Sequence, residues 1–233
     1  VKLAFNIKRC GLFLGLLGSI AAAMAQNTAK LRNGDLLFCC ANMKTASSFS
    51  RSIVASTKGR GSNDINHVAI VCIERGATFI IEATGDKGVW MCPIDTFISR
   101  APKADDGTPL LLHGRIKGNV DISTSIANAK SRIGLKYDRL FSNTDDEFYC
   151  SELVQKSFVD GKGGLIFEPI PMSFHDANGT ILPYWTEYYA KRGLEVPEGK
   201  DGSNPAALSS HKRVKILGRI QKTIHNGKLR VEN

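Results

Sequence analysis

The 233-residue chain is 42% hydrophobic and 8% aromatic, enough apolar material for a folded core and too much for a disordered segment. Its 31 Lys and Arg against 22 Asp and Glu give a net charge of +9. The excess is spread out, densest at Lys212-Arg213-Val214-Lys215 and around Lys228 and Arg230. No nucleic-acid motif, phosphate-binding glycine loop, internal repeat or inter-domain linker accompanies it, so a solvated basic face is the reading.

Lys2, Lys8 and Arg9 open the chain, followed by an apolar run, Cys10 to Ala23, that ends in Ala23-Met24-Ala25. A basic start, a short apolar stretch and small residues at an A-x-A site describe a secretory signal peptide. The run is too short for a membrane span. Residues 1–25 are expected to be removed, leaving residues 26–233 as one exported domain with no integral membrane span, the periplasm being the expected compartment. That segment keeps Cys39, Cys40, Cys72, Cys92 and Cys150. An odd number leaves at least one thiol without an internal partner. No C-x-x-C or His-rich spacing supports a zinc site, and no cofactor is implied.

Asp35 leads from a Gly34 turn into Leu36 to Cys40, a short apolar run that reads as a buried strand. Asp35 secures the turn and is a secondary candidate for contact with substrate. Adjacent Cys39 and Cys40 then point to opposite faces. Ser47 to Lys58 has helical spacing, and residues 59–64 break it. Asn66 to Ile73 is apolar on both faces, a strand inside a sheet, and Thr78 to Thr84 returns after a turn at Glu74 to Ala77. A two- or four-residue loop sets Ile73 opposite Thr78 and puts His67 and Glu82 diagonally on one surface. Such neighbours lie about 7–8 Å apart at the backbone, within reach of long side chains. A three- or five-residue loop would separate them.

Val89 to Cys92 reads as a third strand, Pro93 to Ile98 as a short helix, and Pro109 to Ile116 as another strand. Ser123 to Ile133 is helical and stops at Gly134. Asp145, Asp146 and Glu147 suit a helix N-terminus and precede Cys150, Leu153, Val154, Ser157 and Phe158 at helical spacing. A thiol in the first turn of a helix is favoured as thiolate, the nucleophilic form. Pro183 to Arg192 forms an aromatic-rich helix, Glu195 to Ser210 a long loop of the sort that lines a site, and Arg213 to Arg219 a last strand before a polar tail.

A cysteine at a helix start, a histidine on a sheet and a carboxylate beside it are the parts of a papain-type site. His67 would act as general base and then acid, Glu82 would orient it, and the Cys150 N–H would meet the oxyanion. The histidine hairpin precedes the cysteine helix, the reverse of the usual papain order. In Asn33-Gly34-Asp35-Leu36-Leu37-Phe38, Ile65-Asn66-His67-Val68-Ala69-Ile70-Val71, Ile81-Glu82-Ala83-Thr84, Tyr137-Asp138 and Phe148-Tyr149-Cys150-Ser151-Glu152-Leu153-Val154, the chain resembles the permuted branch of NlpC-type papain-like cysteine peptidases, the YiiX-like proteins. The resemblance implies an α+β, circularly permuted papain-like fold, an antiparallel sheet packed against helices. It also implies Cys150, His67 and Glu82 as triad, with Tyr137 and Tyr149 near the site. The first expectation is a cysteine hydrolase cleaving a peptide or isopeptide bond, with a cell-wall peptide as substrate. The alternative is a lipid-directed thioesterase, amidase or acyltransferase resembling lecithin:retinol acyltransferase-like proteins, for which an apolar channel formed by Trp185, Tyr188 and Tyr189 would speak. A non-catalytic binding module is the third reading.

Overall fold

The computed structural model describes residues 30–57, 63–225 and 228–232, so the expected signal peptide lies outside the described residues. The elements run β1 (Leu36–Cys40), α1 (Ser48–Thr57), β2 (Ile65–Glu74), β3 (Ala77–Thr84), β4 (Gly88–Pro93), α2 (Ile94–Arg100), β5 (Leu111–Ile116) and α3 (Ile122–Ser131). They continue with α4 (Cys150–Ser157), β6 (Ile170–Pro171), α5 (Pro183–Ala190), β7 (Asp201–Gly202), α6 (Pro205–Ser209), β8 (Val214–His225) and β9 (Lys228–Glu232). Seven strands form one antiparallel sheet in the order β4-β3-β2-β1-β5-β8-β9, the α+β architecture the resemblance implied.

β1 sits in the middle of the sheet and every one of its residues is buried, as five apolar positions in a row require of a strand covered on both faces. Its side chains alternate between two cores. Leu36, Phe38 and Cys40 face α3, α4 and α6, while Leu37 and Cys39 face α2. A third, aromatic core joins Phe141, Tyr149, Phe174, Trp185 and Tyr189, with Phe49 of α1 against it. Trp185 donates to Ser56 Oγ at 2.8 Å, which ties α5 to α1. All five cysteines of the described residues are free thiols.

The β2–β3 hairpin closes with Glu74 opposite Ala77 and Ile73 opposite Thr78. Its two-residue loop is Arg75-Gly76, both at positive φ (48° and 81°), which suits the right-handed twist of a hairpin. Gly88 has φ 67°, and a Cβ there would lie 2.2 Å from Leu135 O, so only glycine allows β4 to start against that segment. The polar tail expected after Arg219 is instead the end of β8 and the whole of β9. β8 outruns β5 and pairs with β9 as an antiparallel ribbon.

Asp35 holds the start of β1 in place. Its carboxylate accepts from the Arg32 N–H (2.8 Å), Arg115 Nε (2.7 Å), Arg115 Nη2 (2.7 Å) and His113 Nε2 (2.7 Å). Burial alone would raise its pKa; Arg115 and His113 outweigh that and hold it below the usual carboxylate range. Removing one member of such a buried ionic group leaves the others uncompensated. Asp35→Ala is expected to lower unfolding free energy by about 3 kcal/mol in urea melts, while the folded fraction keeps its activity.

Candidate active site

α4 starts at Cys150 rather than at the acidic run before it. The Phe148 N–H is bonded to Lys136 O (3.0 Å) and Glu147 bridges Lys136 in parallel, so these residues run extended and are barred from a helical turn. Asp145 instead pairs with Lys156 (2.9 Å). The carboxylate in the first turn is Glu152, whose Oε2 accepts the Tyr149 N–H at 3.3 Å and whose Oε1 pairs with Lys156 at 3.0 Å. Burial lifts the Glu152 pKa to about 7 against the pull of Lys156 and the Tyr149 N–H. Tyr149 is the N-cap, and the helix that follows is buried along nearly its whole length. This leaves the Cys150 N–H at the helix start, without an intrahelical acceptor.

His67 lies near the start of β2, opposite Cys39. The next pair is Cys40 with Ile65, so Asn66 is the extra residue of a bulge. A bulge turns the strand locally and re-aims the side chains beside it. Asn66 Nδ2 is bonded to Ser50 Oγ of α1, and the Phe97 ring stands 6.4 Å from the imidazole. His67 Nε2 donates to Glu82 Oε2 at 2.8 Å, the diagonal contact that a two-residue hairpin loop makes possible. That bond leaves Nδ1 as the nitrogen free to exchange a proton with the thiol. Burial by itself would strip the imidazole of its proton. The charge of a Cys150 thiolate and the hydrogen bond toward it, followed by Glu82, overcome this and raise the His67 pKa to about 10.

Glu82 is 1% exposed and has a second partner that the sequence did not reveal, Arg100 at the end of α2, which donates to Oε1. Burial would raise the Glu82 pKa; His67 and then Arg100 pull it below its ordinary value. No sequence spacing links Arg100 to Glu82, because a strand and a turn separate them and only the α2 packing brings them together.

Beside Cys150 lies a recess of about 500 Å³, open mouth included, walled by Ile53, Tyr137, Phe141, Tyr149, Met172, Phe174 and Trp185. Ser203, Asn204 and Pro205 close one side. The long loop expected at 195–210 therefore carries β7 and α6 and lines this recess, held by the Ser203 N–H donating to Tyr149 OH at 2.9 Å. Tyr137 lines the recess as well, and burial, then the charge of Cys150, raise its pKa, so its hydroxyl keeps its proton. Tyr149 is a wall and a strut. Tyr188 and Tyr189 are tied to Arg139 O (2.8 Å) and Leu140 O (2.9 Å) and pack behind Trp185. Asp35 is bound up in its own ionic group, and its expected contact with substrate has no place in the residues that line this recess.

Residues 30–217 match a family described as permuted papain-like amidase enzyme, YaeF/YiiX, C92 family. The chain belongs to that family. It is thus an enzyme of the cysteine peptidase and amidase kind on a permuted papain-like fold. YiiX of Escherichia coli strain K12, an uncharacterized protein, is 28% identical over 155 residues, 65% of this chain and 67% of the relative. The crystal structure of metalloprotein YiiX from Escherichia coli O157:H7 superposes with a TM-score of 0.63 at 21% identity, covering 82% of this chain and 98% of that one. The described residues do not fit a metal. Among the described residues no three His, Cys, Asp or Glu side chains form a ligand group, and Glu82 has one oxygen on His67 and the other on Arg100.

The Glu82 shift has a definite sign. A carboxylate whose folded pKa is depressed adds stability that is present above its unfolded pKa, near 4.5, and is lost as pH falls toward the folded value. Urea melts between pH 6 and pH 3 should therefore show a steeper acid loss in the native chain than in Glu82→Gln. Parallel curves would mean that Glu82 is not held ionised by its partners.

Proposed function

We propose that the protein is an exported thiol amidase that cleaves a peptide or isopeptide bond, with cell-wall peptides as substrates, through a Cys150 thioester. The observation that carries this reading is the bond between half-buried His67 and buried Glu82, with the imidazole electrostatically coupled to a thiol at a helix N-terminus. His67 Nδ1 takes the Cys150 proton and the thiolate attacks the amide carbonyl. The carbonyl oxygen becomes an oxyanion, met by the Cys150 N–H and the Tyr137 hydroxyl. The imidazolium then protonates the leaving amine, and the thioester remains. Water, deprotonated by His67, releases the acid and regenerates the thiol. Glu82 fixes the tautomer by holding Nε2–H throughout.

A second reading, an amide with a fatty or other apolar acyl group, has its own support. Among the described residues no charged side chain lines the recess beside Cys150, and five aromatic rings do. Burying a charged acyl group there without a partner would be costly, whereas an apolar one gains from the walls.

Purified protein incubated with wall peptides and, separately, with N-acyl lipids tests both readings. Turnover of the first class supports the cell-wall reading, and turnover of the second alone replaces it with the lipid reading. In either case Cys150→Ala is expected to lose all turnover, and Tyr137→Phe to lower kcat about 100-fold with little change in KM. Activity retained by Cys150→Ala would refute the thiol mechanism.

A further inference from the structure

Glu82 is approached by charged or titratable groups from four elements: His67 of β2, Arg100 of α2, Cys92 of β4 and Cys39 of β1. Two of them are cations, one on each carboxylate oxygen. They are not equivalent. In a cycle of acid–base chemistry the imidazole alternates between charged and neutral, so for part of each turnover it gives Glu82 no countercharge. A carboxylate 1% exposed and left without one would take up a proton or turn toward water. Arg100 cannot lose its charge at any working pH.

The guanidinium is also held in place. It stands over the Trp90 ring, 5.0 Å from the centroid, and Trp90 is the residue directly opposite Glu82 across β3 and β4. Its Nη2 touches Cys92 Sγ at 3.8 Å. The strand neighbours of Glu82 thus supply the platform on which its second partner rests, although the Arg100 side chain is 41% exposed.

We infer that Arg100 is a positioning residue for the thiol chemistry, acting on Cys150 through Glu82 and His67; the inference rests on the amidase reading above. Arg100 is the standing countercharge that keeps Glu82 ionised and aimed at His67 while the imidazole proton comes and goes. It is not among the residues that line the recess beside Cys150.

Iodoacetamide tests this without a known substrate. The alkylation rate of Cys150 is followed by peptide mass spectrometry between pH 5 and pH 9 in the full chain, in Glu82→Gln, in Arg100→Gln and in Arg100→Lys, with folding checked by circular dichroism. Loss of the Glu82 orientation weakens the hold of the imidazole on the proton it exchanges with the thiol, so the alkylation rate curve is expected to move to higher pH. Arg100→Gln is expected to move it by about half to one unit, or about three- to tenfold in rate on the acid side. Arg100→Lys, which keeps the charge and loses the fork, should give a smaller shift in the same direction. If Glu82→Gln shifts the curve while both Arg100 variants match the native chain, the role of Arg100 is overturned and the amidase reading stands. If Cys150 of the native chain reacts like a free thiol and Glu82→Gln changes nothing, both fall.

Discussion

A carboxylate buried within a sheet is the constraint on which the site depends. Glu82 lies in β3 among apolar neighbours, where an unpaired charge would be expelled or neutralised. The fold meets that demand with His67 from the adjacent strand on one oxygen and Arg100 from α2 on the other. The same pairing orients the imidazole ring, sets its tautomer and favours its charged form. What stability requires of Glu82 is therefore also what a proton-transferring histidine requires of its neighbour.

The thiol comes from a separate part of the structure, and the rest of the fold delivers it. α4 is anchored by the burial of almost every side chain and by Glu152, which holds the Tyr149 N–H just before the cysteine. Lys156 knots the preceding segment to the helix through Asn143 O, Thr144 O, Asp145 and Glu152. Tyr149 in turn braces the Ser203 backbone, so the segment that closes the recess hangs from the residue that caps the helix. The Cys150 thiol, the N–H beside it and the recess thus share one mechanical frame.

Much of this was legible in the residues, for identifiable reasons. The proximity of His67 and Glu82 was legible as one of two alternatives, because strand side chains alternate with a period of two and the parity of the loop decides the face; the two-residue Arg75-Gly76 loop settles it. β1 was plain from its uninterrupted apolar run. The cysteine in the first turn of α4 was legible from its spacing, but Asp145, Asp146 and Glu147 look like a helix-capping run and do not cap it. What decides is the Phe148 N–H bonded to Lys136 O, a contact between distant residues that local pattern cannot hold. Arg100 was invisible for the same reason. The aromatic recess was half legible: Trp185 was singled out with Tyr188 and Tyr189, but only Trp185 lines the recess, while Phe141 and Phe174 arrive from loops whose paths no periodicity specifies.

The central claim is that His67 and Cys150 act as one proton-sharing pair, and an NMR titration of the His67 imidazole tests it most directly. In the native chain the ring should keep its proton to about pH 10, and in Cys150→Ala the midpoint should fall by more than one unit, because the largest influence that raises it is gone. A native midpoint near the 6.5 of a free imidazole, or one that the alanine substitution leaves where it was, would contradict the account.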